Sequence, residues 1–265
     1  MPAIELGFDP NLVQIGSVTI SWHGIWTAVG VIGAVQFVLW MAGKRGLDVD
    51  NVTTVATWGI VGGVIGARLF FVIDHASYFV ERPLEALYIW QGGIAVYGAF
   101  IGGVITGGIA ARRLKIAAGP ILDLAGPAML IGQIAGRLGC LSNGDAWGAP
   151  CANGTFPCVI YTHPAALIPE ALKGIPTHPY PVYEILAELV LLGILYLLHT
   201  RLTRTGQMFL VAAIGYAIIR FSLTYFRQES IVAMGLQQAQ LVAIATGIVA
   251  LALFIRRSTV VAPSQ

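Results

Sequence analysis

The sequence predicts an all-α integral membrane protein with about seven transmembrane helices, its N-terminus outside and its C-terminus cytoplasmic. Three observations carry that expectation. The 265 residues are 57% hydrophobic and only 11% charged, with a mean hydropathy of +0.78; a bilayer protein needs apolar surface outside as well as inside. Uninterrupted apolar windows of about 20 residues, enough to cross ~30 Å of hydrocarbon, recur along the chain. The basic residues gather in alternate connections between those windows. The whole chain, 1–265, is expected to form a single membrane domain.

The windows fall at 22–42, 53–74, 90–111, 121–138, 182–200, 207–226 and 236–256. Residues 1–21 lack the basic start of an export signal, so no cleavable signal peptide is expected. The first window opens on Trp22-His23-Gly24, and the second carries Arg68 and Asp74. The third, "GGIAVYGAFIGGVITGG", is the weakest, because its glycines permit a broken or re-entrant segment. The fourth ends at Arg137 and is followed by an extracytoplasmic loop over about 139–181, the only sizeable extramembrane segment expected.

Lys44, Arg45, Arg112, Arg113, Lys115, Arg201, Arg204, Arg256 and Arg257 fall on one side of the membrane in this reading. Only Arg82, Lys173 and Arg227 fall on the other. The positive-inside bias therefore sets the orientation. The remaining basic residues, Arg68, Arg137 and Arg220, lie within windows. An arginine in hydrocarbon costs several kcal/mol even on the lower scales, about 2.5–3.5. It therefore either faces a polar interior and marks a functional pathway or snorkels from near a helix end, which fits Arg220 less well than Arg68 and Arg137.

With this orientation the polar groups collect at one depth. His23, Arg68, Asp74, Tyr97, Arg137, Tyr183, Glu184, Arg220, Tyr225 and Arg227 all fall in the outer-leaflet half, whereas the cytoplasmic half has Asp123 and little else. This implies a cavity open to the outer leaflet with a positive lining. Guanidinium groups bind phosphate or carboxylate oxygens bidentately, which suits a lipid headgroup. A transport channel would need polar residues through the full depth, so the distribution favours an enzyme or a lipid binder.

All three cysteines, Cys140, Cys151 and Cys158, lie in the expected loop. Cys151 and Cys158 either close a small disulfide on an oxidising face or remain thiols. His163 and His178 are each followed by proline without paired-ligand spacing, so no metal is expected. No dinucleotide or phosphate-loop glycine pattern occurs, and no cofactor or nucleic-acid partner is expected. The pairs Gly62/Gly66, Gly98/Gly102 and Gly103/Gly107 have the spacing that lets membrane helices approach closely.

Six stretches in order carry a family resemblance: "FDPNLVQIGSVTISWHGIW", "GARLFFVI", "WQGGIAVYGAFIGG", "RLGCLSNGDAWG", "HPYPVYE" and "GYAIIRFSLTYFRQE". Together they resemble the prolipoprotein diacylglyceryl transferases along nearly the whole chain. The resemblance implies a multi-pass protein of the bacterial cytoplasmic membrane. Its implied partners are phosphatidylglycerol, prelipoprotein signal peptides with a lipobox cysteine, and membrane lipids. The cysteine thiol attacks a glyceryl carbon, a thioether forms and glycerol phosphate departs. By this resemblance Arg137 and Arg220 bind the phosphate and stabilise the leaving group, and Arg68 and Arg227 support them. Asn143, Asp145 and Gly148 fall on signature positions as substrate-binding residues.

The chain also departs from the family pattern. Tyr97 stands where the family commonly has histidine, and His23 where it commonly has tyrosine, as if imidazole and phenol had exchanged spans. His23 is then expected to act as general base or thiol-orienting group, because histidine exchanges a proton near neutral pH, with Tyr97 as its catalytic counterpart. Cys140 replaces an asparagine, Asp145 a glutamate, and Thr224 a glutamate. A non-catalytic relative that binds anionic phospholipid in the outer leaflet is the alternative reading.

Overall fold

The computed structural model describes residues 3–16, 18–89, 92–151, 158–227 and 231–259. It is mostly helical, with α1 Trp22–Lys44, α2 Val49–Asp74, the short α3 Ala76–Glu81, α4 Val96–Arg113, α5 Ala118–Asn143, α6 Tyr180–Leu198, α7 Gln207–Leu223 and α8 Gln238–Thr259. Six of these are long and apolar enough to cross a membrane: α1, α2, α5, α6, α7 with its 3-10 extension to Phe226, and α8.

The element that differs from expectation is α4. The window at 90–111 begins with Trp90 and Gln91, which lie outside the described residues. Gly92 and Gly93 then adopt φ of 86° and 75°, and the helix starts only at Val96. That leaves 18 helical residues, rich in glycine and closing on Arg112 and Arg113, too polar on average to join the other six. The second correction concerns the loop expected from 139. Helix α5 runs on to Asn143, and Gly144, at φ 74°, ends it with its N–H on the Cys140 carbonyl at 2.9 Å. A left-handed glycine just past a helix is the commonest way to satisfy the last carbonyls. Cys140, expected in the loop, is therefore a helical residue like Arg137.

The chain divides into two compact units. One comprises Met1–Val13, Ile20–Ala34 and Leu122–Gln265; the other comprises Gln14–Thr19 and Val35–Ile121. In the second unit, α2 and α4 pack along the small-residue pairs read from the sequence. A Cβ on Gly66 would lie 2.3 Å from the Gly98 carbonyl, and one on Gly102 would lie 2.1 Å from the Gly62 carbonyl. Thr106 Oγ1 adds a hydrogen bond to the Trp58 carbonyl at 2.6 Å. In hydrocarbon, close backbone approach and such bonds replace the hydrophobic drive that packs helices in water.

In the first unit, Leu130 of α5, Leu191 and Leu195 of α6 and Met208 and Ala212 of α7 form a buried cluster. Asp123 of α5 caps α7. Its carboxylate accepts from the backbone N–H groups of Gly206, Met208 and Phe209 at 2.6, 2.9 and 3.3 Å. The first N–H groups of a helix have no intrahelical acceptor and carry its positive dipole end, so a buried carboxylate fits there. Strand β1 (Ile4–Leu6) pairs in parallel with β4 (Val159–Tyr161), tying the N-terminal segment to the connection between α5 and α6. Cys151 and Cys158 are joined by a disulfide in that connection.

Candidate functional site

Helix α6 begins Tyr180-Pro181, with the ring of Pro181 in its first turn where a missing N–H costs nothing. Tyr180, Glu184 and Glu188 follow at intervals of four, so they share one face. All three are buried, with 0% of each exposed. A bare carboxylate in such a place would be prohibitively costly, and Glu184 is compensated by two arginines. Arg137 Nε lies 2.5 Å from Glu184 Oε2, and Arg137 Nη2 donates to Oε1 at 3.2 Å, a two-pronged contact. Arg220 Nη1, from α7, donates to the same Oε1 at 2.8 Å and to the Tyr180 hydroxyl at 2.7 Å. That hydroxyl donates in turn to Glu184 Oε1 at 3.0 Å.

Arg227, just past the 3-10 turn Thr224–Phe226, places its guanidinium over the Tyr180 ring at 5.1 Å. Thr224, fully buried, donates to the Arg220 carbonyl at 2.5 Å and so finishes the end of α7 from which both arginines project. Three guanidinium groups thus surround one phenol and one carboxylate. Glu188 sits one turn further along α6, and neither of its carboxylate oxygens has a hydrogen-bond partner among the described residues.

A second group of side chains adjoins Arg137. Arg137 Nη1 stands 3.8 Å from Cys140 Sγ, one turn along α5. His23 Nδ1 lies 3.3 Å from Asp145 Oδ2, and Asn143 Nδ2 donates to that same oxygen at 3.3 Å. His23 Nδ1, Cys140 Sγ and an Asp145 oxygen all fall within 4.8 Å of one another. Gly139 permits this, since a Cβ there would press on His23 Cα at 3.0 Å and on His23 Nδ1 at 3.2 Å. Tyr161 of β4 underlies the turn and donates to the Leu141 carbonyl at 3.1 Å. Burial first, and the Asp145 carboxylate second, push its phenol pKa well up, so it stays neutral and acts as a donor.

The signature loop is clamped at Gly148. A Cβ there would stand 2.6 Å from the His178 carbonyl and 3.0 Å from the Phe226 carbonyl. The neighbouring Ala149 N–H donates to that Phe226 carbonyl at 2.7 Å. His178, Tyr183 and Phe226 pack their rings around this point, with His178 Nδ1 and the Tyr183 hydroxyl 3.1 Å apart. Gly148 therefore acts by close approach, setting the loop against the end of α7.

Of the residues singled out by sequence, Arg137, Arg220, Arg227, His23, Asn143, Asp145 and Gly148 all lie in the first unit. Arg68 and Tyr97 belong to the second. Tyr97 is on α4 and 54% exposed. Arg68 is buried, and its guanidinium donates to four backbone carbonyls: Ala86 (2.8 Å), Gly92 (2.7 Å), Gly93 (2.8 Å) and Glu85 (2.6 Å). Phe71 and Phe79 flank it, 5.6 and 5.4 Å from ring centre to guanidinium carbon. The sequence assigns no role to Tyr180, Glu188 or Glu184, although it groups Glu184 with Arg137 and Arg220, the two arginines it meets. The available signal was two glutamates and a tyrosine spaced by four on an otherwise apolar helix.

This arrangement defines a class: a polytopic helical membrane protein with a buried arginine–carboxylate cluster beside a His–Cys–Asp group. The prolipoprotein diacylglyceryl transferase family profile matches residues 10–256. A phosphatidylglycerol–prolipoprotein diacylglyceryl transferase of Dehalococcoides mccartyi is 37% identical over 96% of this chain and 95% of its own. Enzymes of the same name from Acaryochloris marina and Lysinibacillus sphaericus are each 31% identical, covering 89% and 100% of this chain and 85% and 98% of their own. The chain belongs to the prolipoprotein diacylglyceryl transferase family.

Proposed function

We propose that this chain transfers the diacylglyceryl group of phosphatidylglycerol to the lipobox cysteine of bacterial prelipoproteins. The observation that carries the site assignment is the sharing of one buried carboxylate, Glu184, between Arg137 and Arg220. Arginines held by a carboxylate are already desolvated and aimed, and a phosphate offers them the same oxygen geometry. In the reaction the peptide sulfur attacks the glyceryl carbon that bears the phosphate oxygen. A C–S bond forms, the C–O bond breaks, and the electron pair leaves on the oxygen as glycerol phosphate. Preorganised cations at that oxygen lower the barrier because they are placed where charge develops. The thiol proton passes to His23, which Asp145 orients and Asn143 steadies through the shared Oδ2. Arg227 adds positive potential beside Tyr180. Gly148 serves by holding the loop, and Arg68 by holding the 85–93 segment.

In this reading the chain is one domain of the bacterial cytoplasmic membrane, with α4 as a seventh, shorter span. Its N-terminus lies outside, its C-terminus lies in the cytoplasm, and Tyr97 faces the outer-leaflet half. The test is transfer of labelled diacylglyceryl from phosphatidylglycerol to a lipobox peptide by the purified full chain, with Arg137→Ala as control. Transfer that depends on Arg137 is expected. Retained lipid binding with no transfer would make the chain a non-catalytic phospholipid binder. A His23→Ala protein with full activity would remove His23 from the base role and leave the rest standing.

A further inference from the structure

We propose that His23 Nδ1, Cys140 Sγ and an Asp145 carboxylate oxygen form a binding site for a thiophilic divalent cation of the zinc class. The three donor atoms come from three separate places in the sequence and lie within 4.8 Å of one another. Zinc bonds of about 2.0–2.3 Å to nitrogen, oxygen and sulfur place tetrahedral donors about 3.3–3.8 Å apart. The His23–Asp145 pair already stands at 3.3 Å. The widest separation in the trio then closes with a small side-chain rotation.

Asp145 Oδ1 is buried without a hydrogen-bond partner among the described residues, and the close contact of His23 Nδ1 is the Asp145 carboxylate itself, at 3.3 Å. A buried carboxylate oxygen without a donor forgoes water, which a cation would remedy. The donor set also selects the ion. One imidazole, one thiolate and one carboxylate suit zinc or cobalt, whereas magnesium and calcium demand oxygen cages. A thiolate and a carboxylate neutralise a divalent cation, so Arg137, 3.8 Å from Cys140 Sγ and engaged by Glu184, faces no surplus positive charge. Three protein donors leave a fourth position open to water or an incoming thiol.

All three ligands, His23, Cys140 and Asp145, stand at positions where the chain departs from the family pattern. Binding of the cation does not depend on the transferase reading. Its consequence does: a cation on Nδ1 removes the base and occupies Asp145, so transfer stops while the metal is bound.

Cobalt(II) is the direct probe, added to the purified full chain in detergent with the Cys151–Cys158 disulfide intact and no lipid substrate present. One equivalent should give tetrahedral d–d bands together with a thiolate-to-metal charge-transfer band, both abolished by one equivalent of zinc. Cys140→Asn should lose the charge-transfer band. His23→Ala and Asp145→Asn should each weaken cobalt binding by more than the about 10–100-fold that removal of an outer-shell partner costs. Thermal unfolding of each variant verifies that it is folded. A wild-type spectrum without a thiolate band, an unchanged spectrum in Cys140→Asn, or no binding below millimolar cobalt would overturn the site. Cobalt binding by a chain that gives no diacylglyceryl transfer once freed of metal would instead overturn only the transferase reading.

Discussion

Two buried arginine systems, one in each unit, are held by opposite kinds of partner. Arg68 gives its donors to four backbone carbonyls and lies between two phenylalanines. Carbonyls cannot leave without unfolding the segment that carries them, so this guanidinium is a fixed brace. Arg137 and Arg220 share a side-chain carboxylate and a phenol instead. A carboxylate partner can be exchanged for a phosphate of similar geometry, which leaves those cations available for chemistry. The difference shows that burial of an arginine says little about its role until its acceptors are known.

The largest effect expected from breaking this contrast is on Glu184. Replacing it with alanine strands two guanidinium groups in a buried setting. Removing one partner of a buried ion pair costs about 3–5 kcal/mol, so Glu184→Ala should unfold at markedly lower temperature in detergent. Glu184→Gln, which keeps an acceptor for Tyr180 and Arg220, should lose less. An alanine variant as stable as the parent would show that the pair is not what holds α5, α6 and α7 together here.

Next in size is the loss of leaving-group stabilisation. Arg137→Ala is expected to lower kcat for diacylglyceryl transfer by about 10²–10³-fold, the range for removing one preorganised donor. Arg137→Lys should recover little, because a point charge cannot reproduce the two-pronged contact. Steady-state transfer assays with saturating phosphatidylglycerol measure both. Equal activity of the lysine variant would reduce Arg137 to a source of charge.

The brace should respond differently. Arg68→Lys leaves carbonyls of the 85–93 segment without donors, and an unmet buried group costs about 1–3 kcal/mol. The expected readout is faster proteolysis within 82–93 and a lower unfolding temperature. Proteolysis unchanged from the parent would remove the bracing role. Smaller still is Gly93→Ala: at φ 75° an added Cβ would meet Phe71 Cε1 at 2.5 Å and Arg68 Nη1 at 2.9 Å. The left-handed backbone costs an alanine about 1–2 kcal/mol before any clash. A Gly93→Ala protein more stable than the parent would mean that the turn relaxes freely and the brace is not rigid.

Much of the fold was legible in composition and hydropathy, because a bilayer imposes length and apolarity on each segment independently of its neighbours. The positions of α1, α2, α5, α6, α7 and α8 follow from that rule, and the packing of α2 on α4 follows from glycine spacing. The third window, the weakest in the sequence, forms a shorter helix than the other six, since glycines that allow close packing also lower hydropathy. The extension of α5 to Asn143 was hidden because Arg137 reads as a helix end until a buried carboxylate is known to receive it.

The site divides along the same line. The sequence marks Arg137, Arg220 and His23 as polar groups at a common depth, because charge in hydrocarbon is costly enough to stand out, and marks Asp145 only through the family resemblance. It could not pair them. Glu184 and Tyr180 lie more than 40 residues from Arg137, and His23 more than 110 from Cys140, so no local spacing announces either cluster. Which acceptor each arginine meets, and which three donors converge beside it, depend on helices packing at distances fixed by Gly139 and Gly148. Hydrophobic segments are chosen one by one, but ligand geometry arises only when several of them meet.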